Sequence, residues 1–239
     1  MLTMGSDLAT TDRLLRAQWL RLREWLDELD DDATRAPSVL PGWTVAELVA
    51  HLGRVMDALA VTQPADGDAQ PVSLGRYLGF AAERAERIDT ITRELAQEIA
   101  ADPLAALDRH ADDAFAQLHG LRALAADPVV RTRVADIRLS DLLTSRLLEL
   151  VVHGDDLDRS LPAVPGDIVL DEALGVVSEA LLEVLTEKGG WELEVVEPRA
   201  WVRLACGRTP LDPNTIGAAL RPRYTSDATP DLAGLLPLI

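Results

Sequence analysis

Apolar residues recur every three to four positions over most of this chain, a period that predicts helices rather than strands. Residues 7–29 carry Leu14, Leu15, Ala17, Leu20, Leu22, Trp25, Leu26 and Leu29 at such spacings and form a first amphipathic helix. It ends in the acidic run DELDDD at 27–32, read as a solvated helix end and loop. Pro37 and the pair Pro41-Gly42 then break the chain. The next helix spans about 44–61 and has a clear start. Thr44 is a good N-cap, Glu47 three residues later completes a capping box, and Trp43 and Leu48 occupy hydrophobic-staple positions. Its apolar face includes Val45, Leu48, Leu52, Val55, Met56 and Leu59, with His51 at the edge.

A polar loop, QPADGDAQP at 63–71, precedes a helical region over 72–100, and after Pro103 a second piece over 104–125. His110 and His119 lie there among charged and small residues and read as ordinary surface or half-buried histidines. Beyond Pro128 a helix is predicted over 140–160, with Ser140 as N-cap and Asp141 favouring the positive dipole end. Two apolar flanks of this helix enclose a narrow sector of Ser145, Arg146, Glu149, His153 and Asp156. A solvent-facing sector would be broad, so this helix is expected to be central with its polar stripe turned inward.

After LPAVPGD at 161–167 the pattern changes. A helix over 168–186, closed by Gly189-Gly190, is followed by WELEVV at 191–196, whose alternation predicts a half-buried strand. AWVRLACGR at 200–208 reads as a short helix and the remainder as loop-rich. The fold class is mainly α, with residues 1–162 as a helical bundle and 167–239 as a small α/β region.

Composition narrows the possibilities. A hydrophobic content of 48% supports a core without disulfides, and with only 4% aromatic residues that core must be largely Leu, Val and Ala. A net charge of −17 repels phosphate backbones and anionic lipid, which argues against nucleic-acid or membrane partners. An anionic ligand would need a locally basic pocket. The single cysteine, Cys206, excludes an internal disulfide, fits a reducing compartment and reads as a small buried hydrophobe. The start, MLTMGSDLATTDRL, lacks the pattern of a signal peptide, and a cytoplasmic location is expected. The sequence leaves monomer and homodimer open.

Chemistry concentrates in LLELVVHGDDLDRSL at 147–161. Glu149 and His153, four residues apart, can reach one point in space, and carboxylate plus imidazole suit a divalent metal. The same pair could instead be a buried carboxylate–imidazole contact neutralised by Arg146. Among the remaining histidines only His51 borders a strongly apolar face. Together His51, Glu149 and His153 would leave one position open for water or substrate.

LPGWTVAELVAHL around His51 and RLLELVVHGDDLDRSL around Glu149 and His153 resemble the paired signatures of the mycothiol-dependent maleylpyruvate isomerase family. The resemblance covers about residues 1–160, in the expected order and separation. It implies a DinB-like four-helix bundle holding a divalent metal, usually zinc, on His51, Glu149 and His153. It also implies mycothiol as the thiol, acting on a small electrophilic substrate by isomerisation or S-transfer. Asp155 departs from relatives that carry an aromatic residue there, and Asp156 could orient a ligand histidine. The C-terminal part resembles a short sterol-carrier-like tail. Arg208, in ACGRTP, sits in a motif similar to that of a functional arginine of the family. It is a candidate catalytic residue that could hold a carboxylate, or a surface arginine closing a helix. Arg199, Arg203, Arg221 and Arg223 make the tail basic enough to suit an anionic ligand, unless they are simply solvated. A non-enzymatic lipid- or small-molecule-binding protein and a metal-bearing interaction protein remain as alternatives.

Overall fold

The computed structural model describes residues 7–224 and 230–239. The first six residues of the start read above, and 225–229 of the loop-rich tail, lie outside the described residues. Helix α1 (Leu8–Leu26) buries Leu14, Leu15, Trp19 and Leu22. The acidic run is not all loop, because the Asp30 carboxylate accepts from the Ala33 amide and caps a short helix α2 (Asp31–Arg35). Helix α3 (Val45–Ala60) opens on the expected reciprocal box. Thr44 accepts from the Glu47 amide while the Glu47 carboxylate accepts from the Thr44 amide. A cap of this kind contributes about 1 kcal/mol.

A short strand β1 (Gln63–Pro64) follows. The region 72–100 divides into α4 (Leu74–Glu83) and α5 (Ala85–Glu98), because Arg84 leaves the helical backbone at φ −122° and ψ 12°. Helix α6 (Pro103–Arg122) starts on Pro103, with Asp102 capping Ala105. Strands β2 (Val129–Arg131) and β3 (Asp136–Arg138) form an antiparallel hairpin to which β1 adds an edge. Its turn is closed by Thr132, whose hydroxyl accepts from the amides of Val134 and Ala135. Runs of two or three residues are too short to show a period, so this sheet was not expected. Helix α7 (Leu139–Ser160) begins one residue early, and Ser140 is not its cap. The Ser140 amide and hydroxyl both donate to Asp127, at 2.9 Å each, so a carboxylate from the preceding loop does the capping.

The bundle consists of α1, α7, α3 and α6, each packed on the next. Ion pairs Arg122–Asp12 and Arg23–Asp108 (2.8 Å) join α6 to α1 and close the ring. The break at Arg84 lets α4 lie against α7 while α5 packs on α3. The three-stranded sheet sits at one end: β1 follows α3, and β3 runs straight into α7. The C-terminal end of α3 and the N-terminal end of α7 therefore meet at the sheet, and the two helices run antiparallel. Among the described residues no helix is long and apolar enough to cross a membrane.

Helix α8 (Asp171–Gly189) starts later than the expected position 168. Ile168 and Val169 are buried in extended chain instead, because buried Gln18 donates to the Ile168 carbonyl (2.7 Å) and accepts from the Leu170 amide (3.0 Å). Gly190, at φ 73°, closes α8 in the left-handed conformation that glycine tolerates. Strand β4 (Leu193–Val195) matches WELEVV. After α9 (Pro198–Ala205), the part read as loop contains α10 (Pro213–Ala219) and β5 (Leu220–Pro222), which pairs antiparallel with β4. The result is mainly α with a small α/β region, as expected, and α8 packs on α7 and α1. One buried apolar cluster runs from Leu8 to Leu238 through both parts.

Candidate metal centre

Helix α3 presents His51 and helix α7 presents Glu149 and His153 into the seam between them. The Nε2 atoms of His51 and His153 lie 3.4 and 3.2 Å from the same oxygen, Glu149 Oε2. The three side chains thus offer one donor atom each, all within 4.8 Å of one another. Ligands about 2.0–2.1 Å from a tetrahedral ion stand about 3.3 Å apart. The two Nε2–Oε2 separations have that spacing.

The outer nitrogens explain why both Nε2 atoms face inward. His153 Nδ1 lies 3.1 Å from Asp156 Oδ2, and His51 Nδ1 lies 3.4 Å from Thr92 Oγ1 on α5. Asp156 is fully buried, and although that burial opposes its charge, His153 and then Arg208 hold its carboxyl below the usual range. An ionised carboxylate only accepts, so His153 keeps its proton on Nδ1. A neutral His153 then turns a bare lone pair toward the Glu149 oxygen, an acceptor facing an acceptor. Either a second proton or a cation resolves that conflict. Burial pushes the His51 imidazole down, towards its neutral form, with the Glu149 contact opposing. Burial also works against charge on His153, but Asp156 and Glu149 outweigh it and raise its value. Burial opposes charge on Glu149 too, yet the hydrogen bonds from His153 and His51 hold its carboxyl well below the usual range. Two imidazoles of opposite tendency around an ionised carboxylate form a donor set that fits a divalent metal. Of the alternative, the buried carboxylate–imidazole contact is present, while among the described residues no ion pair joins Arg146 to Glu149.

The seam opens into a cavity of about 760 Å³ lined by His51 and Glu149 and walled by α3, α4, α5, α6 and the β2–β3 turn. Trp43 borders the site, its ring 5.3 Å from that of His51 and its Nε1 donating to Asp89 of α5 at 2.6 Å. It is more than a helix staple. Thr92 and this contact escaped sequence reasoning, because nothing local marks an α5 threonine as a neighbour of an α3 histidine.

A family model described as the mycothiol maleylpyruvate isomerase N-terminal domain matches residues 15–158, more than half of the chain. The chain belongs to this family. As a member of the mycothiol maleylpyruvate isomerase family it belongs among enzymes, and the match spans all three inward-facing donors. It is also similar to a crystal structure of the mycothiol-dependent maleylpyruvate isomerase, at 19% identity and a TM-score of 0.40. A structure of a histidine-to-alanine mutant of that enzyme matches at 18% and 0.39. Both matches cover 80% of this chain and 77% of the other. No curated protein matches the chain in sequence.

In this family member the other candidates fall in definite places. Arg208 is not aimed into the cavity: its Nη2 donates to Asp156 at 3.0 Å and its Nη1 to the Cys206 carbonyl at 2.7 Å, behind His153. Asp155 is buried and bridged by Arg199 (3.0 Å) and Arg203 (2.7 Å), so it ties α9 to α7. Arg221 and Arg223 pair with Glu194 and Glu192 across β4 and β5. Among the described residues Arg199, Arg203, Arg221 and Arg223 each have a carboxylate partner, which weighs against the anionic-ligand reading of the tail. Cys206 is buried, and burial pushes its thiol up to about 12, so it supplies no thiolate. His119 is exposed, whereas His110 is half-buried on the cavity wall.

Proposed function

We propose that this chain is a metal-dependent, mycothiol-using isomerase or S-transferase acting on a small electrophilic substrate in the cytoplasm. His51, Glu149 and His153 are the ligands in this reading, and zinc is the expected metal. The observation that carries it is the convergence of both Nε2 atoms on one Glu149 oxygen, with each Nδ1 taken by an outer partner. Bound there, a divalent cation supplies the Lewis acidity that keeps an incoming thiol as its thiolate at neutral pH. The chain's own residues do the rest. Asp156 fixes the His153 tautomer, and Arg208 acts as a positioning residue that keeps Asp156 ionised. Trp43 and the apolar wall supplied by Leu78, Ile88 and Leu95 limit water beside the site. The unreactive Cys206 fits an enzyme whose thiol comes from a small molecule. In the same reading residues 1–162 are the catalytic bundle, and 167–239 buttress α7 through Arg199, Arg203 and Arg208.

A non-enzymatic lipid carrier fits less well, because the cavity lining includes several charged side chains. Metal analysis of purified wild type and His51→Ala tests the ligand set: the wild type should carry one divalent ion and the variant far less. Mycothiol at a hundredfold its dissociation constant should then stabilise the metal-loaded protein by roughly 2.7 kcal/mol. Equal metal content in both proteins refutes the ligand set, and the absence of any thiol-induced shift refutes the cofactor.

A further inference from the structure

Most arginines in this acidic protein are paired with carboxylates, yet of the six that line the cavity only Arg133 is, among the described residues. Among the described residues Arg54, Arg84, Arg87, Arg109 and Arg146 all line it, and none lies in an ion pair. Elsewhere only Arg21 and Arg138 share that condition. Arg87 and Arg109 are exposed at the rim, where solvation explains them. Arg54 and Arg146 are different. Arg146 is only 9% exposed, and its one hydrogen bond runs from Nε to Ser145 Oγ at 3.4 Å. Both terminal nitrogens of its fork are left without a partner. Arg54 is half-buried and held in place by its Nη1, which donates to the Ile88 carbonyl at 3.2 Å and to Thr92 at 3.4 Å. A largely buried guanidinium without a counter-charge is costly, and none of the free nitrogens of these two is fully enclosed, so both forks are open to the cavity.

Position sharpens the point. Arg54 lies three residues after His51 on α3, and Arg146 lies three residues before Glu149 on α7. Since the helices are antiparallel, both arginines are displaced from the candidate ligands in the same direction, towards the sheet, by about 4.5 Å of helix rise. Arg133, on the β2–β3 turn, lines the same end of the cavity and is paired with Asp57 at 3.0 Å. The other acids on the cavity wall are Glu149 itself and the exposed Glu94 and Glu98 of α5. Burial, and then Arg133, push the Arg54 guanidinium down, the sign of a locally positive site.

We propose that Arg54 and Arg146 form an anion subsite beside the metal centre that selects substrates bearing a carboxylate a few bonds from the reacting carbon. The subsite is a feature of the cavity alone, while its role in choosing substrate rests on the function proposed above. A planar carboxylate matches the two-pronged fork of a guanidinium, which makes Arg146 a specificity-determining residue.

Titration calorimetry on the metal-free full chain, using succinate, its neutral diamide and inorganic phosphate as probes, tests this without turnover. Succinate should bind and the diamide should not. Arg146→Gln should weaken succinate by roughly ten- to a hundredfold, the range for losing a charge-assisted hydrogen bond. Arg54→Gln, at a half-buried position, should do the same even where the buried variant folds poorly. Arg21→Gln, on an arginine outside the cavity lining and equally unpaired, should leave binding unchanged. Equal binding of succinate and diamide, indifference to both cavity variants, or tighter binding of phosphate than of succinate would each overturn the assignment. Metal content measured in parallel keeps the outcomes separate: a chain that loses metal in His51→Ala yet binds succinate only through Arg54 and Arg146 supports both readings independently.

Discussion

Replacing Asp156 by asparagine isolates the link between the C-terminal region and the metal centre. Asp156 is fully buried and faces two donors, His153 Nδ1 at 3.1 Å and Arg208 Nη2 at 3.0 Å. Asparagine keeps the shape but offers a single acceptor oxygen. Both bonds end on one oxygen, Oδ2, so an amide oxygen placed there still accepts from His153 Nδ1, but without the negative charge that makes the inward Nε2 a better donor to a metal. Outer partners of metal-bound histidines typically contribute ten- to a hundredfold in affinity, which corresponds to about 1.4–2.7 kcal/mol. Losing the charge while the tautomer is kept belongs at the lower end. Stability should fall as well, by about 2–3 kcal/mol, since the buried Arg208 loses the counter-charge of its ion pair. Asp155→Asn supplies the control: the same chemical change at the next residue breaks the bridges to Arg199 and Arg203 but touches neither imidazole. Competition against a chromophoric chelator should show zinc affinity reduced at least tenfold in Asp156→Asn and unchanged in Asp155→Asn. Equal zinc affinity in the two folded variants would refute the argument.

Burial, then Asp127, raises the Asp141 carboxyl to about 6 from an ordinary 3.8, so the fold favours its protonated form. Its contribution is intact below pH 4 and lost as pH rises through about 6. In urea unfolding, the advantage of Asp141→Asn over wild type should therefore widen from pH 5 to pH 8 by about 1 kcal/mol, after allowance for partial exposure. A constant gap contradicts it. Cys206 should resist alkylation in the native protein and react fully once unfolded, and Cys206→Ala should leave zinc content intact; rapid native labelling counts against its burial. A methyl group at Gly154 would meet Val169 at 3.3 Å and Leu22 at 3.4 Å, while one at Gly175 meets nothing within 4 Å. Gly154→Ala should destabilise by about 1–3 kcal/mol through overpacking and Gly175→Ala should stabilise by about 1 kcal/mol, both measured by thermal melting.

The helices that build the candidate metal centre were legible because each carries its own signal. The Thr44–Glu47 box and the apolar face of α3 are local, and so is the narrow polar sector of α7 between two greasy flanks. Those patterns, with two motifs in a set order, single out His51, Glu149 and His153 as candidates in the sequence itself. Elements shorter than a turn or two were not legible, as with the β2–β3 hairpin and β5, since two or three residues cannot display a period. Boundaries failed where a distant group intervened: Asp127 capped α7 in place of Ser140, and Gln18 on α1 held Ile168 out of α8.

Tertiary structure decided everything that depends on which charges meet. Arginines look alike in a sequence. Arg199, Arg203 and Arg208, which suggested a ligand site, are neutralised by Asp155 and Asp156 of α7, whereas Arg54 and Arg146 face the cavity without counter-ions. Helix period and capping act over a few residues and leave their trace in the local sequence. The partner of a long, flexible cation is chosen by packing between segments tens of residues apart, and only the folded chain records that choice.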